Sequence, residues 1–279
     1  MKGIKMKKFD SKEYSFAVFI DSFDGYSDVW NAFFEIFNRF WNDCVFPKYL
    51  VTNNLSYLNR NVRTIKTGDE INWFIRTKKA LESIEEEYIL FMLEDYFLSR
   101  KINNNDFFKI LDYMKKNDIY YYRLSPSNLK KQKNKYIYNI PKNQKYAISL
   151  QPAIWKRETL INIIDSMPNA KTAWDFEIYF TKKYHQNLPE NEFIDGICYD
   201  SRDILGYKNG ILQGKWIRDT LNYYKKININ INIGNRKKLN ILDSFIYNLK
   251  IRLDNKLSPK LIKKIKTILS KVGFHFFSE

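Results

Sequence analysis

Apolar residues along this chain alternate between short unbroken runs and longer stretches where they recur every three or four positions. These are the signatures of buried strands and amphipathic helices. Residues 14–21 form the first run and predict a strand. A loop follows at 22–27, then an aromatic-rich helix over 28–41 and a second short strand over 48–53, which makes a β-α-β opening. A helix over about 72–87 leads into a further apolar run that begins at Tyr88 and stops at two adjacent acids, Glu94 and Asp95. Beyond it the pattern predicts a helix over 105–117, a strand over 119–124, a polar loop or hairpin over 125–145 and a strand over 146–150. Helices over 156–166 and 172–184 complete the regular part. The fold class is therefore α/β: a single domain with a mixed, mostly parallel central sheet flanked by helices, and a basic helical C-terminal tail. Its expected divisions are a basic leader over 1–13, a principal domain over 14–220 with halves at 14–100 and 101–220, and the tail over 221–279.

Composition narrows the class. In 279 residues, hydrophobic positions make up 44% and aromatics 17%, enough for a substantial core and too much for a disordered chain. Two cysteines and two histidines exclude a disulfide framework and a cysteine-rich zinc site. No G-x-G-x-x-G or Walker sequence occurs, which argues against dinucleotide-dependent dehydrogenases and P-loop phosphotransferases. No apolar run is long enough to span a membrane and the N-terminus leads into charge, so the expected location is cytoplasmic.

The formal net charge of +16 is concentrated near the C-terminus. From Arg236 to Lys271 there are eleven lysines or arginines against two acids. Within this stretch Leu261, Ile262, Ile265, Ile268, Leu269 and Val272 recur at helical spacing, with lysines mainly on the other face. Such a helix suits peripheral attachment to an anionic membrane surface, and packing on the principal domain accounts for it equally.

Two places carry candidate chemistry. Buried strands of α/β sheets bind ligands at their carboxyl ends, which places Glu94 and Asp95 at the mouth of a site, and a strand ending in a solvated turn accounts for them too. Hard oxygen ligands there suit Mn2+ or Mg2+ holding a diphosphate. The second place is Asp175 with Glu177 at the start of a helix. Thr172 and Asp175 fit a capping box, a structural explanation for that acid. Glu177, set between aromatic neighbours, has the surroundings expected of a general base, and a solvated first-turn acid fits it too.

Taken in order, these segments resemble the bacterial glycosyltransferases of GT-A fold that assemble surface polysaccharides such as lipopolysaccharide O-antigens and capsules. Phe16-Ala-Val-Phe-Ile-Asp21 with the loop after it, then Tyr49-Leu-Val-Thr-Asn53, looks like the nucleotide-binding opening of that group. Leu93-Glu-Asp-Tyr-Phe97 stands in the place of its metal-binding Asp-x-Asp motif, with Glu-Asp instead of the spaced pair. Ser149-Leu-Gln-Pro-Ala-Ile-Trp155 and Ala173-Trp-Asp-Phe-Glu177 look like its acceptor-side strand and the helix bearing the catalytic acid. The similarity runs over roughly residues 14–216.

The resemblance implies transfer of a sugar from a nucleotide-sugar donor, UDP-linked in the favoured case, to a saccharide acceptor carried on undecaprenyl diphosphate. It implies that Asp95 binds the divalent cation, with Glu94 assisting. Asp21, Ser22, Asp24 and Asn53 would approach base and ribose, while Arg76 and Lys215 would face phosphate. Glu177, or failing that Asp175, would deprotonate the acceptor in an inverting displacement. Gln151, Trp155 and Trp174 would line the acceptor sugar, although core packing explains the tryptophans as well. A different reading, a nucleic-acid-binding protein, draws on a pI near 9.5 and on Tyr120, Tyr121 and Tyr122 beside Arg123 and a lysine run. It leaves both carboxylate sites without a role.

Overall fold

The computed structural model describes residues 14–125, 135–142, 144, 147–184, 193–240 and 243–244. The proposed amphipathic helix of the basic tail lies outside the described residues. Chain contacts divide the molecule into two units: one runs up to Gly210 and takes in Asn232–Gly234, the other comprises Ile211–Ile231 and continues from Asn235.

The first unit is built on an eight-stranded mixed sheet. Its strands are β1 (Phe16–Asp21), β2 (Lys48–Thr52), β3 (Arg63–Lys66), β4 (Tyr88–Leu93), β6 (Tyr121–Arg123), β7 (Ile137–Pro141), β8 (Ala153–Lys156) and β9 (Phe193–Asp200), in the order β3-β2-β1-β4-β8-β6-β9-β7. β3, β2, β1 and β4 are mutually parallel; β8 runs antiparallel to both β4 and β6, β9 parallel to β6, and β7 antiparallel to β9. All six residues of β1 are buried, as a central strand covered on both faces requires. The α/β class and the mixed sheet are those expected from the sequence.

Alternation along the strands sorts side chains to the two faces. Ala17, Phe19, Ile89, Phe91, Tyr121 and Trp155 join one core with residues of α2 (Trp73–Glu82), α4 (Arg157–Asp165) and α5 (Ala173–Tyr184). On the other face Phe16 meets Phe107 of α3 (Asn104–Lys116) at 5.8 Å between ring centres, and Trp41, just past α1 (Ser27–Phe40), stacks on the same Phe107 at 4.7 Å.

Several elements differ from the sequence expectation. The strand expected over 146–150 is displaced to β8, after Pro152; Ala147–Leu150 are buried bends instead. β3 and β9 were not expected, because Arg63-Thr-Ile-Lys66 is an edge strand with charged ends and β9 carries Gly196 in its middle at φ +69°. The run from Tyr88 ends at the two acids as expected: Glu94 and Asp95 form a turn, and beyond them Tyr96–Leu98 is a separate strand, β5, paired antiparallel with β10 (Tyr207–Asn209). The adjoining Gly210 donates its N–H to the Asp95 carbonyl at 2.7 Å, and a Cβ on it would lie 2.6 Å from the buried Phe97 ring. Close approach thus requires glycine there.

The second unit contains the hairpin of β11 (Ile211–Leu212) and β12 (Lys215–Trp216) and the helix α6 (Arg218–Lys226). Trp216 is fully buried and exchanges backbone hydrogen bonds with Lys237 and Leu239.

Candidate active site

The sheet order creates the site. From β1 the chain steps to β2 and β3 on one side, then crosses through α2 to β4 on the other, so the β1–β4 boundary is a topological switch point, where open α/β sheets leave a crevice at the carboxyl ends of their strands. The parallel register sets Asp21 opposite Leu93, and the next residues are Glu94 and Asp95. Three carboxylates are thereby delivered to one edge.

α2 closes over this edge. Its N-cap, Asn72, accepts hydrogen bonds from the N–H groups of Phe74 and Ile75 and donates to the Ala170 carbonyl; Trp73 N–H donates to the Lys171 carbonyl. The starts of α2 and α5 are therefore tied together. Trp73, Arg76 and Thr77, at spacings of three and four, share a helix face. Trp73 Nε1 donates to Asp21 Oδ2 at 2.6 Å, Thr77 Oγ1 to Asp21 Oδ1 at 3.3 Å, and the Arg76 guanidinium lies 3.8 Å from Asp21 Oδ2. Burial nevertheless raises the Asp21 pKa, against the pull of Arg76 and the two hydrogen bonds. Arg76 also sits under the half-exposed Phe23 ring, 5.5 Å from its centre.

These contacts revise two expected roles. Asp21 and Ser22 are both 2% exposed and bonded internally, Ser22 Oγ accepting from Trp30 Nε1 at 2.8 Å, so neither presents a free group to a nucleotide. Asp24 and Asn53 staple two loops: Asn53 N–H donates to Asp24 Oδ1, Asp24 N–H donates to Asn53 Oδ1, and the N–H groups of Asn54 and Leu55 donate to Asp24 Oδ2. Their visible work is to hold the loop after β1 against the loop after β2.

Glu94 is buried and its pKa is raised well above the ordinary carboxylate value, by desolvation first and then by the neighbouring Asp95 charge, with Asp21 adding and Arg76 opposing. Asp95 is half-buried beside it. Among the described residues no three histidine, cysteine or carboxylate groups are gathered to hold a metal by themselves. Adjacent carboxylates in a desolvated crevice still fit Mg2+ or Mn2+, which take one or two protein carboxylates and complete their shell with phosphate and water. A cation would also relieve the repulsion between the two acids.

Glu177 faces inward from α5. Its Oε1 accepts the Leu150 N–H at 3.0 Å, while burial raises its pKa against that hydrogen bond. Phe176, beside it, is buried between Trp73 and Trp155, with ring centres 5.7 and 6.2 Å away. Asp175 is different. Its Oδ2 accepts from the N–H groups of Lys171 and Thr172 and from Thr172 Oγ1, and these bonds lower its pKa. It is the acid of the capping box foreseen as its structural explanation, reaching back to Thr172 at the cap, and poorly suited to take a proton. Asp175→Ala is expected to cost about 1 kcal/mol of stability at neutral pH. Because its folded pKa is depressed, that contribution is present above the ordinary value of 3.8 and lost as pH falls through the lowered value. Urea melts at neutral and acid pH check this, since the native and variant curves should converge in acid.

Tyr96 links the two halves and was not singled out from the sequence. Its hydroxyl has a pKa raised by burial first, then by Tyr207, Asp95, Glu177 and Glu94. Its ring lies 4.8 Å from that of Tyr207 across the β5–β10 pair. Tyr96 thus lies within electrostatic reach of both the acidic turn and Glu177.

The remaining expected residues separate. Trp174 is 45% exposed and, three positions before Glu177, lies on its side of the helix. Gln151 is exposed and accepts a hydrogen bond from Ser125 Oγ at 3.0 Å. Trp155 is fully buried against Tyr121 and Phe176, so it packs the core and lines no acceptor groove, as the alternative explanation had it. Lys215 belongs to the β11–β12 hairpin of the second unit.

No protein-family model matches the sequence, and no curated protein matches it at a significant level. Solved structures with a similar chain course include residues 1–349 of TarS from S. aureus, at 13% identity and a TM-score of 0.44 over 69% of this chain and 59% of that one. Another is the 4-diphosphocytidyl-2C-methyl-D-erythritol synthase from Anaerococcus prevotii, at 11% identity and a TM-score of 0.44 over 78% of this chain and 98% of that one. A third is the galactosyltransferase LgtC in complex with donor and acceptor sugar analogues, at 14% identity and a TM-score of 0.35 over 68% and 69% of the two chains. The chain thus spans 59% of the length of the TarS fragment. These are likenesses of chain course, and the functional reading rests on this chain's own residues.

Proposed function

We propose that the protein is a glycosyltransferase that moves a sugar from a nucleotide-sugar donor, UDP-linked in the favoured case, to a saccharide hydroxyl. The observation that carries this reading is the acidic turn Glu94–Asp95 at the β1–β4 switch point, with Tyr96 within electrostatic reach of both that turn and the desolvated Glu177. The sequence resemblance to GT-A-fold enzymes of surface polysaccharide assembly points the same way. It also supplies the lipid-linked acceptor and the inner membrane surface as expected partners. Among the described residues no helix is long and apolar enough to cross a membrane.

In this proposal Asp95, assisted by Glu94, would hold a divalent cation, whose charge would offset that of the diphosphate leaving group. Arg76, buried beneath Phe23, adds positive charge from the helix side, and the Phe23 ring offers a surface for the nucleobase. Glu177 Oε takes the proton of the acceptor hydroxyl as that oxygen bonds to the anomeric carbon. The bond from that carbon to the diphosphate breaks, and its electron pair leaves on the phosphate oxygen. Attack opposite the leaving group inverts the configuration. Trp174 offers the exposed aromatic face that a pyranose packs against, with Gln151 reading hydroxyls.

Thermal-shift measurements with UDP-, GDP-, dTDP- and CMP-sugars, with and without Mn2+, test the assignment on the native chain and on Asp95→Ala. One donor is expected to raise Tm in a concentration- and metal-dependent way, as mass action requires of a ligand for the folded state, and Asp95→Ala to abolish the shift. Failure of every donor to shift Tm would remove the glycosyltransferase reading.

A further inference from the structure

The opposite face of the sheet carries a cavity of about 450 Å³, lined by Lys109, Tyr113, Tyr122, Lys135, Tyr136 and Arg202 among others. Consecutive residues of β6 separate it from the candidate active site: Tyr121 lies in the core with α2, α4 and α5 and its hydroxyl senses Glu177, whereas Tyr122 points towards α3. The cavity is therefore no extension of the carboxylate crevice.

Its floor is fixed. The Tyr122 hydroxyl donates to Asp200 Oδ2 at 2.6 Å, and Arg202 grips the fully buried Asp200 through Nε and Nη2, at 3.0 and 2.6 Å. Tyr136 lies over the Arg202 guanidinium, 5.3 Å from ring centre to carbon, and is 55% exposed. The wall is pinned to β9 by the bond from Ser201 N–H to the Tyr136 carbonyl, and the Tyr138 hydroxyl donates to the Lys135 carbonyl.

Charge selects the occupant. Asp200 neutralises Arg202, whereas neither Lys109 nor Lys135 has a carboxylate within ion-pair reach among the described residues. Two ammonium groups with no carboxylate partner among the described residues, that of Lys135 lying 5.3 Å from the Tyr138 ring centre, stand beside the exposed Tyr136 ring and fit a dianion joined to a ring: a phosphomonoester carries nearly two negative charges at neutral pH. A volume of about 450 Å³ lies in the range of small-molecule sites. We propose that this cavity is a binding site for a ring-bearing phosphomonoester, held by Lys109 and Lys135 at the phosphate and by Tyr136 at the ring.

Nucleoside monophosphates and sugar phosphates share this chemistry, and calorimetry on the full chain distinguishes them. UMP, glucose 1-phosphate, inorganic phosphate and uridine are titrated into the native chain, into Asp95→Ala and into the double variant Lys109→Ala/Lys135→Ala. Both lysines are exposed, so their truncation leaves the fold intact, and an unchanged Tm verifies it. At least one ester is expected to bind Asp95→Ala as tightly as the native chain, and to lose at least about tenfold in affinity in the double-lysine variant. The tighter ester identifies the ring, and uridine is not expected to bind. Loss of binding in Asp95→Ala with the double-lysine variant unaffected would place the ligand in the carboxylate crevice and overturn the proposal. So would inorganic phosphate binding as tightly as either ester, or no binding of either ester at millimolar concentration.

Discussion

Replacing Glu177 by glutamine is expected to lower sugar transfer about 10²- to 10⁴-fold, the usual contribution of a positioned general base. Donor affinity should stay close to native. Glutamine keeps an Oε1 that can accept the Leu150 N–H, the hydrogen bond Glu177 makes at 3.0 Å, so the change removes the proton acceptor and little of the geometry. Phe176 remains seated between Trp73 and Trp155 and anchors that turn of α5. The pH profile supplies a second readout. Burial raises the Glu177 pKa above its ordinary value of 4.5, and a base works only when deprotonated. Native activity should therefore fall as pH drops through that raised value, a limb lying at higher pH than an unperturbed glutamate would give. The residual activity of Glu177→Gln should lack that limb. Steady-state rates with saturating donor across pH decide the matter, and a variant retaining near-native turnover would assign the proton to another group.

The features most legible in the sequence were those in which a local pattern and a chemical need coincide. Glu94 and Asp95 stood out because an apolar run ends at them, and the structure places that end at the switch point of the sheet. Asp175 was legible as a cap because the spacing to Thr172 is local. Glu177 could be named by type, but the N–H that holds it comes from Leu150, 27 residues away in sequence. Tyr96 escaped notice because its surroundings are assembled by the β5–β10 pairing and by α5, contacts that no spacing within residues 88–97 encodes. Trp155 failed as an acceptor residue for a related reason. With the strand expected at 146–150, the tryptophan fell just beyond it; in fact it lies inside β8, paired with both Ile89 and Tyr121, where its ring can only pack. Asp21 shows the same limit. Its place at the end of a strand was clear, but its partners Trp73, Arg76 and Thr77 lie more than fifty residues on, so a structural anchor looked like a ligand contact.

That anchor carries the second large effect. Arg76→Met is expected to destabilise the fold by about 3–5 kcal/mol at neutral pH, the cost of removing one partner from a buried ion pair. Arg76 and Asp21 are 7% and 2% exposed, and the guanidinium opposes the burial cost at both Asp21 and Glu94. Methionine keeps much of the apolar stem beneath Phe23, so the loss falls mainly on charge. Asp21→Asn removes the other partner and tests the coupling. If the ion pair matters, the double variant Arg76→Met/Asp21→Asn should cost less than the sum of the two singles. The sign with pH follows from linkage. An acid whose folded pKa lies above its unfolded value binds more protons when folded, so its contribution to stability falls as pH rises from the ordinary value of 3.8 towards the raised one. Without its cation Asp21 is pushed higher still, and the deficit of Arg76→Met should widen over that window and narrow in acid, where protonated Asp21 tolerates burial. Urea midpoints with unchanged m-values would report this directly. A deficit below about 1 kcal/mol at neutral pH, the scale of a solvent-exposed pair, would mean that Asp21 already holds its proton in the native protein and that α2 is fastened to β1 by neutral hydrogen bonds.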